Sequence, residues 1–377
     1  MPVAEIGRAL AKASCVATNK NQHFVPRCYL RPFTKDEEGV AINLYNVDRG
    51  KFIQAAPVKS QCSGDYFYGK DENLEKAIQS VEGEYAKALR ACLTPGFRLT
   101  EAYSGVLKLF WLFQYMRTDA AARRAAASSA AMVDLIGEEG AEFRLQIKEA
   151  VQVAMRSFAE QMHAIDDIRL CLVRNTTSMP FVTSDDPAVL TNRWNLSDPK
   201  RASLSFGLSA AGILTLLPLS PNVLCLGYDG DMYSVAQKDG WLILRRESDV
   251  DAFNQHQFLN CRANIFVREA EHESYVREAF RRAASNRIAK RYVLHYAVLD
   301  RTDAKSKRYK VVETPDPMAE EALLHLQVRY PVPTFWPSAI SWHPVGNFYT
   351  NGTGTGYVRR SVALRERDSG YKRVRAL

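Results

Sequence analysis

Residues 73–93, NLEKAIQSVEGEYAKALRACL, decide the fold class, because the spacing of apolar residues changes there. Leu74, Ala77, Ile78, Val81, Tyr85, Ala88 and Leu89 fall on one stripe of a 3.6-residue repeat that Pro95–Gly96 ends, so a helix is expected. Upstream, from Gln22 to about Tyr68, the apolar runs Phe24–Val25, Val40–Tyr45, Phe52–Ile53 and Tyr66–Tyr68 are short and punctuated by Pro and Gly, which predicts short strands and loops. Downstream, 100–136 and 139–165 are Ala-rich and free of proline, and with 73–93 they predict a bundle of three helices. After Asp167 the pattern returns to β-type runs at Ile168–Val173, Phe181–Thr183, Gly212–Leu217 and Val223–Gly227. Helices are expected again at Ser248–Leu259, with Ser248 and Asp249 as caps, and at Ala263–Ala284, before a last strand at Arg291–Leu299. Strands and helices are grouped rather than strictly alternating. The expected class is α+β: short N-terminal strands, a central helical bundle and a mainly antiparallel sheet, with an irregular C-terminal arm.

By this reading residues 1–20 are a leader, 21–300 a single α+β domain, and 301–377 a Pro/Gly/aromatic-rich and basic arm. The 46% hydrophobic and 24% charged residues exclude a disordered tail protein or a collagen-like fibre. The longest mostly apolar stretch, about ten residues around Ala210–Leu219, is short of the ~20 that span a bilayer. Glu5, Arg8 and Lys12 interrupt what would be the apolar core of a signal peptide. Seven widely spaced cysteines without a CxxC pair argue against a disulfide framework or a thiolate zinc site, and a cytoplasmic location is expected.

The formal net charge of +8 is unevenly placed. Residues 1–275 are slightly acidic, whereas 276–310 carry 11 Lys and Arg against 3 acids, and 357–377 carry 7 against 2. Such blocks track a phosphate backbone, and the interleaved Tyr292, Tyr296, Tyr309, Tyr357 and Tyr371 suit stacking on unpaired bases. The alternative is a solvated helix face followed by a soluble terminus.

Familiar catalytic signatures are missing. There is no GxxxxGK[ST] loop, Ser209 in GLSAAG misses the GxSxG elbow by one residue, and the seven histidines are scattered without an HExxH. Four polar clusters remain. In 22–33, QHFVPRCYLRPF, His23 offers an acid, base or metal ligand, and Arg27 and Arg31 offer forked donors to a phosphate or carboxylate. The alternative is a core histidine satisfied by backbone. Glu75 and Glu82 lie two turns apart on one face of the first long helix, where convergent carboxylates suit a hard cation or a shared proton; ordinary ion pairs are the alternative. In PFVTSDDP (180–187), a strand delivers Ser184, Asp185 and Asp186 to its end, where scaffolds display reactive groups and where turns also form. The amide-rich run from Asn254 to Asn260 reads mainly as structural.

Together QHFVPRCYLRPF, GDYFY, LEKAIQSVEGEY, FWLFQYMRT, PFVTSDDP, LLPLSPNVLCLG and FLNCRANIFV resemble a bacterial family called domain of unknown function 4238, over roughly residues 21–268. The match places His23, Pro26, Leu30, Phe33, Glu75, Glu82, Arg117, Ser184, Asp185, Pro187 and Asn260 at positions of the family's motifs; where the family often has Asn, this chain has Asp186. The resemblance implies a role in defence against phage and supplies no reaction.

The expectation for function is therefore an anti-phage defence effector acting on nucleic acid, a phosphodiesterase or nuclease. Its catalytic residues would be His23, Glu75, Glu82 and Asp185. Its substrate would be held by Arg27, Arg31, Arg117, Ser184 and Asn260, and Mg or Mn by Glu82 and Asp185. Nucleic acid would lie on residues 276–310 and 357–377. The alternative is a non-catalytic binder or sensor of nucleic acid or a phage protein, with the polar clusters consumed by internal hydrogen bonds. A third reading is hydrolysis of a small nucleotide of the NAD type.

Overall fold

In the computed structural model, which describes residues 20–202, 204–303, 306–315, 318–353 and 355–376, the chain opens with β1 (Asn21–His23) and a single helical turn, α1 (Arg27–Leu30). The strands β2 (Ala41–Asn46), β3 (Lys51–Pro57) and β4 (Ser63–Asp65) follow. The expected leader lies, Lys20 apart, outside the described residues. β4 returns antiparallel to β1, with Asn21 opposite Asp65. The apolar pairs beside them are not strands: Val25 goes wholly into the core, and the Phe24 and Val25 N–H groups both donate to the Cys62 carbonyl.

The helix read from 73–93 is α2 (Glu72–Cys92), started by the Asp71 carboxylate, which accepts from the Asn73 and Leu74 N–H groups. The bundle has four elements where three were expected. The stretch 100–136 breaks into α3 (Glu101–Arg117) and α4 (Asp119–Ile136), because Thr118 is extended and its hydroxyl caps the second helix at Ala121 N. Of 139–165, only α5 (Ile147–Gln161) is α-helical.

The middle and C-terminal regions supply β5 (Arg169–Asn175), β6 (Thr183–Ser184), β7 (Val189–Thr191), the short turns α6 (Arg193–Leu196) and α7 (Pro199–Ala202), β8 (Leu214–Ser220), β9 (Val223–Tyr228), β10 (Tyr233–Val235), β11 (Trp241–Leu244) and α8 (Glu247–Asn260). Then come β12 (Asn264–Val267), α9 (Glu273–Ala284), β13 (Tyr292–Asp303), β14 (Ser306–Val312), β15 (Ala322–Val328), β16 (Ile340–Trp342), β17 (Asn347–Thr350), α10 (Arg360–Arg365) and β18 (Lys372–Arg375). Two expectations are corrected here. Asn264–Val267 is a strand, not the start of a helix, because it pairs with both β2 and β6. Ser248 and Asp249 do not cap α8; Asp249 accepts instead from Ser338 N and Oγ.

The class is α+β, and the pairing is mainly antiparallel. The central sheet runs β11–β5–β9–β8–β7, with only β11 and β5 parallel, and a second runs β3–β2–β12–β6. Every residue of β8 and β9 is buried, since helices cover one face and a second core the other; hence the runs are continuously apolar rather than alternating. The helical side locks on through Tyr85 stacked on Phe110 and Trp111 Nε1 donating to Leu216 O at 3.1 Å. Tyr29 OH, 2.7 Å from both Thr183 Oγ1 and Pro218 O, ties the N-terminal motif to both sheets. Beyond residue 284 the sheet β14–β13–β15 and the pair β17–β18 follow, β16 returns to pair with β10, and β13 runs through residue 300. No helix among the described residues is long and apolar enough to cross a membrane.

Candidate functional site

Arg117, the last residue of α3, gathers the N-terminal motif. Its side chain is wholly buried and spends each nitrogen: Nη1 to Glu82 Oε1 at 2.7 Å, Nη2 to the His23 carbonyl at 2.6 Å and Nε to Tyr68 OH at 2.6 Å. The guanidinium also stacks 4.3 Å from the centre of the Phe113 ring. Glu82, a quarter exposed, holds the water-facing end of this chain of bonds. The fork joins α2, α3, β1 and the turn at 66–69, and Gln22 fastens that turn further by accepting from Tyr68 N.

His23 is half-buried beside this network. Burial holds its pKa below the ordinary 6.5, outweighing the hydrogen bond to the Val58 backbone, and Arg27 lowers it further; the imidazole is neutral at pH 7. Its Nε2 is buried with no hydrogen-bond partner among the described residues. Arg27 is exposed at the head of α1, while Arg31 turns back to donate to the Glu37 carbonyl. Glu75, two turns before Glu82 and buried, accepts from Gln79 at 3.4 Å through Oε1, and its Oε2 has no partner among the described residues.

Asp185 is spent elsewhere. Its Oδ1 accepts from Arg262 N at 2.8 Å and its Oδ2 from Ala263 N at 2.8 Å and Asn264 N at 2.9 Å, which fixes the sharp exit from α8 into β12. Burial raises its pKa to about 6 against those three N–H donors, and the neighbouring Asp186 adds to the rise. Ser184 Oγ donates to Gln257 Oε1 at 2.7 Å, and Asn260 bridges His256 O and Arg291. The structure thus brings His23, Glu82 and Arg117 together, whereas no hydrogen bond or ion pair joins Asp185 to them. Among the described residues no three His, Cys, Asp or Glu side chains converge as a metal centre.

Asp186 faces a different place. It pairs with Arg124 (Nη1–Oδ2 2.6 Å), accepts from Thr118 Oγ1 at 2.7 Å, and borders a cavity of about 220 Å³ with Tyr115, Asn260, Arg291 and Tyr330. Sequence reasoning singled out neither Arg124 nor Tyr115 and Tyr330. The only local signal was a pair of arginines within the Ala-rich run DAAARRAAASS.

The family model described as Protein of unknown function (DUF4238) matches residues 21–271. The chain belongs to the DUF4238 family. The motif residues of this DUF4238 chain lie inside the match, but Arg291 and Tyr330, which complete the cavity, lie beyond it. No curated protein and no solved structure matches the chain.

Proposed function

We propose that this DUF4238 protein acts by associating with nucleic acid through its C-terminal ribbon, β17 with β18, and the adjoining α10. One observation carries the reading: Arg360, Arg365, Lys372, Arg373 and Arg375 are exposed and have no ion-pair partner among the described residues. Much of the earlier basic block is differently employed, although Lys290 and Lys310 are exposed. Arg277, Arg281 and Arg282 pair with Glu273, Glu278 and Asp251, Lys307 with Glu321, and Arg287 donates to the carbonyls that end α8. Arg359 is likewise internal, held by Asp167. Tyr349 and Tyr371, half-buried against Val358, Val362 and Ala363, lie beside the free cations, where bases could stack on what they leave exposed. The polar clusters of the sequence are mostly engaged in internal bonds, as an associating protein requires. Defence against phage is the setting the family resemblance implies.

The test is binding of single-stranded RNA and DNA across a salt series. Removing both Arg373 and Arg375 as alanines is expected to weaken binding and flatten the salt slope by roughly 1.4, two phosphate contacts at ~0.7 each. Binding unaffected by the double substitution refutes the ribbon.

Hydrolysis at His23 is the second reading, favoured by its partnerless Nε2 and neutral ring, which suit a general base, with the exposed Arg27 as phosphate donor. Incubation with RNA, DNA and NAD, with and without Mg²⁺ or Mn²⁺, supports it if a product forms that the His23→Ala protein does not make.

A further inference from the structure

The cavity beside Asp186 is built by segments far apart in the chain: Tyr115 and Arg124 from the bundle, Asp186 after β6, Asn260 at the end of α8, and Arg291 and Tyr330 flanking the C-terminal sheet. Its charge is unbalanced. Arg124, Arg291 and Arg329 border it, against the single carboxylate of Asp186. Asp186 is already shared between Arg124 and the Thr118 hydroxyl, which leaves one cation neutralised. Among the described residues the hydrogen bonds of Arg291 go to neutral acceptors, with Nη1 2.6 Å from Asn260 Oδ1 and Nη2 2.8 Å from Leu259 O. The negative end of α8 offsets part of that charge, but a helix terminus supplies only about half a unit. Arg329 stands exposed at the rim. Burial first, then the nearby Arg124, depress the Arg291 pKa to about 10, against the opposing pull of Asp186.

The geometry points to this cavity as a binding site for a phosphate monoester. Each guanidinium carries five N–H donors in a planar fork, and those of Arg124 and Arg291 are only partly used. A terminal phosphate has three oxygens to take the spare donors, and Asp186 can accept from a hydroxyl on the same ligand. The Tyr115 and Tyr330 rings form apolar walls, fixed by stacking on Trp111 and Phe206. A volume of about 220 Å³ is below the ~300 Å³ at which drug-sized sites begin, so the phosphate enters with only a few further atoms. The site is independent of the C-terminal ribbon.

The test is calorimetric titration of the full chain with orthophosphate, glycerol phosphate and adenosine monophosphate, with a 5′-phosphorylated oligonucleotide as a separate arm. Because Arg124 and Arg291 also hold structure, the variants are Arg329→Glu, at the exposed rim, and Ala125→Trp, which fills the cavity from α4; thermal unfolding without ligand checks that both fold. Saturable binding of a small phosphate is expected, about tenfold or more weaker in Arg329→Glu and lost in Ala125→Trp. No saturable binding of any small phosphate, or equal affinity in all three proteins, overturns the site. Binding of the oligonucleotide alone, lost when Arg373 and Arg375 are removed, assigns the phosphate recognition to the ribbon and also overturns it.

Discussion

Replacing Asp185 by alanine separates a structural carboxylate from a reactive one. The substitution strips the acceptor from three backbone donors at 2.8, 2.8 and 2.9 Å, of which Ala263 N is fully buried and Arg262 N and Asn264 N are partly so. An unsatisfied buried donor costs about 1–3 kcal/mol, the lower figure applying where water can reach it. The expected loss is then about 3–5 kcal/mol, a large part of the roughly 5–15 kcal/mol that holds a domain folded. Asp185→Asn keeps one oxygen but turns an amide NH₂ toward N–H groups, so its loss should fall between wild type and alanine. Urea unfolding monitored by circular dichroism measures both. The pH dependence gives a second readout. The folded pKa near 6 lies above the unfolded value, so the native state holds this proton more tightly, and the contribution of Asp185 declines as pH rises from about 4 to about 6. An unfolding free energy in the alanine variant within about 0.5 kcal/mol of wild type would refute the clamp and return Asp185 to the reactive groups.

Arg117→Met should cost about 3–5 kcal/mol in urea unfolding, since it removes three bonds from a buried guanidinium; Glu82→Gln should cost less, because that partner is a quarter exposed. His256, buried against Trp336, has a folded pKa lowered to about 4 from 6.5, so its contribution is present above pH 6.5 and lost as pH falls toward 4, by about 3 kcal/mol at 1.36 kcal/mol per unit. His256→Phe should abolish that slope, read as the difference from wild type because Asp185 and Asp229 shift oppositely over the same range. Gly227→Ala should destabilise by about 1–3 kcal/mol, since the new Cβ would clash with Thr215 Oγ1 across the β8–β9 pair, and a second change, Thr215→Ala, should restore much of the loss.

Elements with a strong local period were legible from the sequence. α2 appears where the stripe from Leu74 to Leu89 places it, and β8 and β9 where the apolar runs do. The misreadings come from side chains acting at long range. Thr118 breaks the 100–136 helix while its hydroxyl also donates to Asp186, 68 residues away, and Asp185 draws Arg262–Asn264 out of a helical path and into the turn before β12. The candidate site was half legible: the motifs that carry His23, Glu82 and Arg117 could be picked out one by one, but the bonds from the Arg117 guanidinium to the Glu82 carboxylate and the His23 carbonyl, 35 and 94 residues away, are set by how α2, α3 and β1 pack.

By itself the sequence determined the α+β class, the main helices and strands, the family motifs and the two basic blocks, because hydrophobic period and charge run along the chain and need no partner to be read. Only the tertiary structure decided which cations stay free, which carboxylates are spent on backbone, and that Arg124, Asp186 and Arg291 enclose one cavity. Those outcomes depend on hydrogen-bond and ion partners tens to hundreds of residues apart, chosen when the core excludes water and every buried donor must find an acceptor.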